Sequence, residues 1–340
     1  LQHSYPFCWR TDTPLMYKAI STWFVRVEKV RDQMVADNQK IHWVPGHVGE
    51  GRFGNWLEGA RDWAISRNRY WGTPIPVWKA EDGEILCVGS VEELEKLSGK
   101  KFADIHKHFV DDAVLTKNGK TFKRVTEVLD CWFESGSMPY AQNHYPFENK
   151  EFVENHFPAD FIAEGLDQTR GWFYTLVVLG SSLFAKPPFR NVIVNGLILA
   201  EDGKKMSKRL KNYPDPSYIF ETYGADALRL YMISSAVVKG ESLRFSENGV
   251  KEILKTILIP RWNSFTFFVN YASIDKWDAS SQKEISPKDL QNPLDRWILS
   301  YSEKLLLSLT ESMDAYDLQK AVPPILEFID RLTNWYIRRS

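Results

Sequence analysis

One stretch of the chain, residues 158–200, restricts the fold more than any other. The apolar run at 160–163 predicts a buried strand, the apolar face of residues 167–184 predicts a helix, and residues 191–194 predict a second strand. A strand, a helix and a strand at this spacing form a βαβ unit with a right-handed crossover, which makes the two strands parallel. The sequence therefore predicts an α/β core built on a parallel sheet.

The chain before this unit is predicted to be mixed, and the chain after it all helical. Ahead of the unit we expect a β-favouring run and two helices, at 21–27, 28–35 and 55–66. An inserted module is expected at 71–108, with a strand at 74–79, a hairpin turn at Asp82-Gly83 and a charged helix at 91–97. Beyond Pro216, apolar spacing near 3.6 predicts helices at 224–236, 246–272, 293–316 and 318–339. The polar stretch at 275–292 is the predicted domain boundary.

The composition excludes several classes of protein. With 43 Lys and Arg against 44 Asp and Glu the formal net charge is −1, so bulk charge does not indicate a nucleic-acid coat. Cys8, Cys87 and Cys131 lie far apart, which excludes a disulfide scaffold and fits a reducing compartment. The longest apolar stretch, 173–185, is shorter than the ~20 residues that a membrane-spanning helix needs. No signal peptide is evident, and both ends interrupt a pattern, so we interpret the sequence as part of a longer protein.

The first motif, Glu164-Gly165-Leu166-Asp167-Gln168, lies between the predicted strand and helix. In open parallel sheets, ligands bind beyond the carboxyl ends of the strands. Carboxylates and an amide in that place can bind ribose hydroxyls and an ammonium group, and Gly165 lets a ligand approach the backbone. Taken alone, the segment is more typical of an ordinary helix start, with Asp167 as the N-cap and a solvated Glu164.

The second motif is a basic loop with five cations between Gly203 and Asn212, directly after a strand. Lysine ammonium groups on such a loop suit a polyphosphate, because they stabilise the charge that builds on pyrophosphate as the α-phosphorus is attacked. A bare run of charge is usually a solvated loop or a localisation signal. The central residues of the loop are Lys205, Met206, Ser207, Lys208 and Arg209.

The third motif is the segment 130–137, in which Trp132 stands near glycine and polar residues. An indole in that setting can line a pocket for an apolar side chain. Taken alone, the motif is better explained as a core tryptophan at the end of a strand.

Together these segments resemble the isoleucyl-tRNA synthetases, which are class I aminoacyl-tRNA synthetases, over essentially the whole chain. The basic loop resembles the K-M-S-K-S signature of the class, and the wording from Glu164 to Phe173 is far more specific to the isoleucine family. The segments 63–72 and 5–10 also match the family. Arg209 at the fifth position of the loop, with Asn-Tyr-Pro-Asp-Pro at 212–216, resembles the eukaryotic cytosolic branch.

The resemblance implies that ATP activates isoleucine to isoleucyl-adenylate, with release of pyrophosphate, and that the isoleucyl group passes to the 3′-terminal ribose of tRNA(Ile). It also assigns roles to three sets of residues. The ribose and the amino group of the adenylate are bound by Glu164, Gly165, Asp167 and Gln168. The isoleucine side chain is flanked by Trp132 and Trp172. The ATP phosphates are bound by the loop residues Lys205, Met206, Ser207, Lys208 and Arg209, of which Lys205 and Lys208 are catalytic. Mg²⁺ is expected to accompany ATP, with no protein ligand evident.

The sequence also departs from the family pattern. Class I enzymes carry a His-x-Gly-His motif after a strand, whereas His47-Val48-Gly49-Glu50 lacks the second histidine and follows Pro-Gly instead of an apolar strand. We therefore reject it as a catalytic signature. Some family members bind zinc through a second cysteine near the Cys-Trp-Arg segment, but Thr11 stands at that position, so no zinc is predicted.

By the same resemblance, the chain divides into five parts. They are the return from the editing insertion (1–40), a connective module of the catalytic core (41–157), the second half of the Rossmann-like fold (158–216), a helical stem-contact region (217–285) and the start of a helical anticodon-binding bundle (290–340). The editing domain and the first half of the nucleotide fold are expected to precede Leu1, so the fragment alone is expected to be inactive. A cytoplasmic location without membrane contact is expected, and assembly with other synthetases is left open. Two alternatives remain, a non-catalytic tRNA-binding or scaffold fragment and a relative specific for valine or leucine.

Overall fold

The computed structural model describes residues 3–8, 11–207, 210–281 and 285–340. Its strands are β1 (Phe24–Val25), β2 (His42–Val44), β3 (Trp63–Ala64), β4 (Ser66–Arg67), β5 (Val77–Ala80), β6 (Ile85–Cys87), β7 (Val114–Lys117), β8 (Lys120–Arg124), β9 (Val128–Leu129), β10 (Ala159–Gly165), β11 (Phe189–Asn195), β12 (Ile198–Leu199) and β13 (Leu243–Arg244). Its α-helices are α1 (Arg31–Asn38), α2 (Gly54–Glu58), α3 (Val91–Ser98), α4 (Lys107–Val110), α5 (Cys131–Ala141), α6 (Lys150–His156), α7 (Trp172–Phe184), α8 (Pro216–Tyr223), α9 (Ala225–Ser234), α10 (Glu247–Ile253), α11 (Ile259–Ile274), α12 (Pro293–Asp314) and α13 (Leu318–Asp330). Shorter helical segments include π-helical turns at Val48–Phe53, Leu254–Leu258 and Arg331–Ile337 and 3-10 turns at Leu166–Arg170 and Ala236–Lys239.

The predicted βαβ unit is confirmed. Strands β10 and β11 pair in parallel, with α7 as the crossover, and β2 joins the far side of β11, also in parallel. Because the three strands run in one direction, their carboxyl ends share one edge of the sheet. Helix α7 is buried from Phe173 to Ser181, as its apolar sequence requires. In the core, the Trp43 ring lies 4.8 Å from Phe53 and 5.8 Å from Phe173 between ring centroids.

The inserted module is larger than the sequence predicts. Strands β5 and β6 form the expected hairpin around Asp82-Gly83, and α3 begins at the Ser90 cap, whose hydroxyl accepts from the Glu93 N–H. The module continues beyond residue 108, since β7 and β8 complete an antiparallel sheet in the order β6-β5-β8-β7. The prediction ended too early because the β5–β8 pairing joins residues more than 40 positions apart.

The predicted helix at 55–66 is wrong in its second half. Helix α2 ends at Glu58, and β3 and β4 follow. Strand β3 pairs with β1, and β4 pairs with β9, so tertiary pairing overrides the local helical pattern.

The helices beyond residue 216 are largely as predicted, with one exception. Strand β13 lies between α9 and α10 and pairs in parallel with β12, which follows the central sheet. This pairing ties the helical half of the chain to the edge of the sheet. None of the described helices is long and apolar enough to cross a membrane.

Arg124, at the end of β8, holds the module together from inside. Its side chain is 1% exposed; Nε donates to Oδ1 of Asp111 at 2.8 Å, and a terminal nitrogen donates to the carbonyl of Glu127 at 3.1 Å. Partial burial raises the pKa of the Asp111 carboxyl, but hydrogen bonds from Lys107 and Arg124 outweigh that effect and leave the pKa below its usual value.

Replacing Arg124 tests this arrangement. Arg124→Ala removes the buried guanidinium and its bonds to Asp111 and to the Glu127 carbonyl, while the partly exposed Asp111 keeps its ion pair with Lys107. We therefore expect the free energy of unfolding of the module to fall by about 2 kcal/mol. The control is Lys120→Ala, which removes only exposed ion pairs and should cost less than about 1 kcal/mol. Native-state hydrogen exchange of the β5 and β8 amides in the full-length protein measures the change in free energy for both substitutions. Equal effects of the two substitutions would contradict the assignment.

Candidate active site

The carboxyl ends of β10 and β11 form the floor of the candidate site. Glu164 pairs opposite Val194, and Gly165 pairs opposite Asn195, so the first motif begins where both strands end. Glu164 is exposed, and its carboxylate makes no hydrogen bond or ion pair within the described part of the chain. The 3-10 turn Leu166–Arg170 then leads into α7.

The amide of Gln168, and not Asp167, organises the start of α7. Its Oε1 accepts from the backbone N–H of Trp172 at 2.9 Å, and its Nε2 donates to Oδ2 of Asp167 at 3.2 Å. Asp167 caps neither the 3-10 turn nor the helix, so its exposed carboxylate is held by one side-chain bond and faces solvent. A Cβ placed on Gly165 would lie 2.7 Å from Oδ1 of Asp167, so a side chain at 165 would displace the Asp167 carboxylate from this position. The helix-start interpretation is therefore wrong in its choice of cap.

Trp132 and Trp172 lie on two packed helices beside the motif. The carboxylate of Asp130, 3% exposed and paired with Arg67, caps α5 by accepting from the Trp132 N–H at 3.2 Å. The Trp172 indole N–H donates to the carbonyl of Ser135 on α5 at 2.9 Å.

Between the two indoles lies Gly171. A Cβ there would lie 3.0 Å from the Trp132 ring and 2.7 Å from Oε1 of Gln168. Trp132 is 39% exposed and stands at the start of a helix, so it is not a core residue at a strand end. The structure thus brings both tryptophans, Gln168 and Gly171 together.

The basic loop follows β12 and is closed by Asn212. Oδ1 of Asn212 accepts from the Ser207 N–H at 2.9 Å, and its Nδ2 donates to the Lys205 carbonyl at 3.1 Å. The Lys205 side chain is exposed, whereas Met206 is half-buried and lines a cavity of about 100 Å³. Lys208 and Arg209 lie outside the described residues.

Two pKa shifts accompany these motifs. The pKa of Asp202, directly before the basic loop, lies below its usual value because the backbone N–H and the ammonium of Lys204 bind its carboxylate. The pKa of the Cys131 thiol is raised by burial and by its hydrogen bond to Asp130. Neither group lies among the predicted ligand-binding residues.

Gly196 marks a close approach of the helical half to the sheet. It follows β11 directly, and its N–H donates to the carbonyl of Val237 at 2.7 Å. A Cβ at this position would collide with the backbone of Glu241. The chain that leads from β11 to the basic loop is therefore held against the turn at residues 237–241.

Sequence reasoning missed two cations at this edge. Nε of Arg52 donates to the hydroxyl of the buried Thr169 at 3.0 Å, and the Arg170 guanidinium lies 4.9 Å from the centroid of the Trp56 ring. Arg52 belongs to the π-helical turn that follows β2, and π-helical turns are often found at functional sites. The glycine-rich sequence of this turn is the one feature that could have indicated a functional role for Arg52.

The segment His47–Glu50 also needs a correction. The sequence indicated that Pro-Gly, and not an apolar strand, precedes this segment. In the structure a strand does precede it, because β2 ends at Val44, immediately before Pro45. Its missing second histidine remains the ground for rejecting it as a catalytic signature. Within the described residues, no three His, Cys, Asp or Glu side chains come together in a group that could hold a metal ion.

Two family models match the chain. The model described as tRNA synthetases class I (I, L, M and V) matches residues 12–244, and that described as the anticodon-binding domain of tRNA ligase matches residues 295–340. The first covers well over half of the chain. The chain therefore belongs to the class I tRNA synthetases of the isoleucine, leucine, methionine and valine group.

Relatives refine this assignment. An isoleucine–tRNA ligase of Protochlamydia amoebophila (strain UWE25) is 62% identical over 338 residues, which are 99% of this chain and 32% of the relative. Other chlamydial isoleucine–tRNA ligases are 59% to 62% identical. The chain spans about a third of the length of these curated relatives. They are bacterial, so they do not bear out the expectation of a eukaryotic cytosolic type.

Solved structures share the fold. The LeuRS–tRNA–LeuAMS complex of Agrobacterium radiobacter K84 has a TM-score of 0.63 at 21% identity, covering 81% of this chain and 37% of that one. Methionyl-tRNA synthetase of Mycobacterium tuberculosis with methionyl-adenylate has a TM-score of 0.65 at 16% identity, covering 98% and 56%. Together with the two family models, this shared fold confirms the expected α/β class I core followed by an anticodon-binding region.

Removing the Asn212 amide should loosen the basic loop. Asn212→Ala frees the Ser207 N–H and the Lys205 carbonyl, which costs about 1–2 kcal/mol of local stability. Limited trypsin cleavage after Lys205 should then be about 5 to 30 times faster. The control is Asn270→Ala, at an exposed position of α11. Unchanged cleavage in the Asn212 variant would mean that the two bonds do not hold the loop.

Proposed function

We propose that the protein carrying this chain is an isoleucine–tRNA ligase, which forms isoleucyl-adenylate from isoleucine and ATP and transfers the isoleucyl group to tRNA(Ile). This chain would supply the part of the site that binds the adenylate, the isoleucine side chain and the ATP phosphates. One observation carries the proposal: exposed carboxylates, an amide and two tryptophans meet at the carboxyl edge of β10. The name shared by relatives of about 60% identity supports isoleucine over valine or leucine.

The polar groups of this edge suit the ribose and the ammonium of an adenylate. The carboxylates of Glu164 and Asp167 are exposed acceptors, and hydrogen bonds to a charged partner are roughly twice as strong as neutral ones. The oxygen of the Gln168 amide accepts from the Trp172 N–H. Its Nε2 donates to Asp167 and has a second hydrogen that it can donate to a ligand. Gly165 leaves the backbone open above the strand end.

The tryptophans suit the aliphatic side chain. The Trp172 ring is held through its indole N–H by the Ser135 carbonyl, whereas Asp130 fixes the backbone of Trp132 at the start of α5. An apolar pocket separates isoleucine from valine by one methylene, a difference limited to about 1–3 kcal/mol, for which the isoleucine enzyme is itself the standard example. A difference this small calls for a separate editing step, which we propose is carried out outside this chain, so we expect the chain alone not to proofread valyl-tRNA.

The lysines of the basic loop would act on the phosphates. In the activation step a carboxylate oxygen of isoleucine forms a bond to the α-phosphorus while the bond to pyrophosphate breaks. Lys205 and Lys208 would stabilise the charge that develops on the leaving group. The other residues of the ATP-binding loop are Met206, Ser207 and Arg209. Magnesium enters this proposal only as the counter-ion of ATP, and no zinc is proposed.

Further parts of the proposal follow the family. We propose the five-part division of the chain given above, a cytoplasmic location and tRNA(Ile) as the partner. Assembly with other synthetases is left open. The isolated chain is proposed to be inactive, because a class I site also uses the other half of the nucleotide fold.

Binding of non-hydrolysable adenylate analogues tests the proposal directly. Calorimetry on the full-length protein should show the highest affinity for the isoleucyl analogue, a lower affinity for the valyl analogue and the lowest for the leucyl analogue. Trp172→Ala should weaken isoleucyl-analogue binding by about 10- to 100-fold because a contacting ring is lost, and Trp172→Phe should restore part of it. Trp262→Ala, on the exposed face of α11, is the control. Equal binding of the three analogues would refute the assignment to isoleucine, and unchanged binding by Trp172→Ala would refute the pocket.

Lys208→Ala separates chemistry from binding. Because the charge that Lys208 faces develops in the transition state, the rate of ATP–pyrophosphate exchange should fall by about 100-fold or more, while isoleucine affinity changes less than about twofold. Lys251→Ala, an exposed lysine of α10, provides the charge-matched control. An unchanged exchange rate would remove Lys208 from the mechanism.

A further inference from the structure

A group of rings stands exposed beside the active-site region. Tyr70 is 95% exposed and Trp71 is 59% exposed, although both are large aromatic side chains. The Trp71 ring stacks on His106, with centroids 5.4 Å apart and planes 20° apart, and on His108, at 5.7 Å and 29°. His108 in turn lies 4.0 Å from the half-exposed Phe109. We call these five residues the aromatic platform.

The platform is held in place on its module side. The backbone N–H of His106 donates to Oδ1 of Asp104 at 2.7 Å, and its ring Nδ1 lies 2.5 Å from the same oxygen. Lys107 and Asp111 form an ion pair across the short helix α4, which carries His108 and Phe109. The His106 imidazole is therefore held by Asp104 in the position where it stacks on Trp71.

The loop that carries Tyr70 and Trp71 is fixed at both ends to β9. Before it, Arg67 pairs opposite Val128; after it, Pro74 bridges to Val128, and the Leu129 N–H donates to the Thr73 carbonyl at 2.8 Å. The backbone of the loop is therefore held at both ends, and its two rings are exposed.

Strand β9 also fixes the distance between the platform and the candidate site. Asp130 follows Leu129 directly, caps α5 and so positions Trp132. Trp132 is three positions beyond Leu129, so their Cα atoms lie at most about 11 Å apart. The platform thus flanks the place where the adenylate is proposed to lie.

The chemistry of the platform favours unpaired nucleotides over an apolar protein surface. Its exposed surface consists of flat rings and imidazoles, with Arg69 in the same loop making no ion pair within the described residues. Aromatic faces combined with cations are the means by which proteins hold single-stranded nucleic acid, because every base has a face to stack.

We propose that the aromatic platform stacks the unpaired nucleotides at the 3′ end of the tRNA and guides them toward the active site. This inference rests on the proposed function, since it takes tRNA as the substrate. Tyr70 and Trp71 are positioning residues, and they take no part in adenylate formation.

Two assays on the full-length protein separate the roles. Trp71→Ala and Tyr70→Ala should leave ATP–pyrophosphate exchange unchanged, which also shows that the fold is intact. Trp71→Ala should raise the KM for tRNA in aminoacylation by about tenfold, in line with the loss of one stacked base, and Trp71→Phe should restore most of it. The control is Phe152→Ala, which removes another half-exposed ring stacked on a histidine, at 4.1 Å from His156.

Binding of tRNA that lacks its unpaired 3′ nucleotides identifies the contact. Wild-type protein should lose affinity on this truncation, whereas Trp71→Ala should bind intact and truncated tRNA about equally. An unchanged KM in Trp71→Ala would overturn the proposal, as would equal sensitivity of variant and wild type to truncation; the rings would then serve a protein contact. Failure of the proposed function has a different signature, namely that the wild-type protein neither exchanges pyrophosphate with isoleucine nor charges tRNA.

Discussion

The parallel pairing of β10 with β11 is the interaction on which the site depends. It aligns Gly165 with Asn195 and so places the first motif and the segment leading to the basic loop at one edge, although they are about 30 residues apart in sequence. Antiparallel pairing would put them at opposite ends of the sheet. The burial of α7 against the sheet supplies the apolar energy that holds the strands in register. A second anchor, Asp130, then sets the position of Trp132 through the cap of α5.

Much of this arrangement follows from local sequence. The βαβ unit could be predicted because buried parallel strands and their crossover helix have distinct apolar periods. The Asp82-Gly83 hairpin could be predicted because Asp-Gly favours the tight turns that join two antiparallel strands. The first motif could be placed at a strand end for the same reason. The helices from Pro293 onward were predictable from their 3.6-residue spacing.

The remainder depends on contacts between distant parts of the chain. Nothing near residues 114–124 indicates that they complete a sheet with Val77–Ala80, and nothing near Leu243 indicates a partner at Ile198. The cap of α7 was assigned to Asp167 by residue type, yet the longer side chain of Gln168 reaches the Trp172 N–H instead. Arg52 could not be assigned to the site because its bond to Thr169 spans 117 positions.

Gly196 has a consequence for how this protein can change over generations. Every missense change that one nucleotide can make in a glycine codon introduces a Cβ, and here that atom meets the backbone of Glu241 and not a side chain that could turn aside. No missense change at this codon is therefore structurally neutral unless the helical half shifts with it. The junction between sheet and helices therefore tolerates only glycine at this position unless the two parts of the chain move apart.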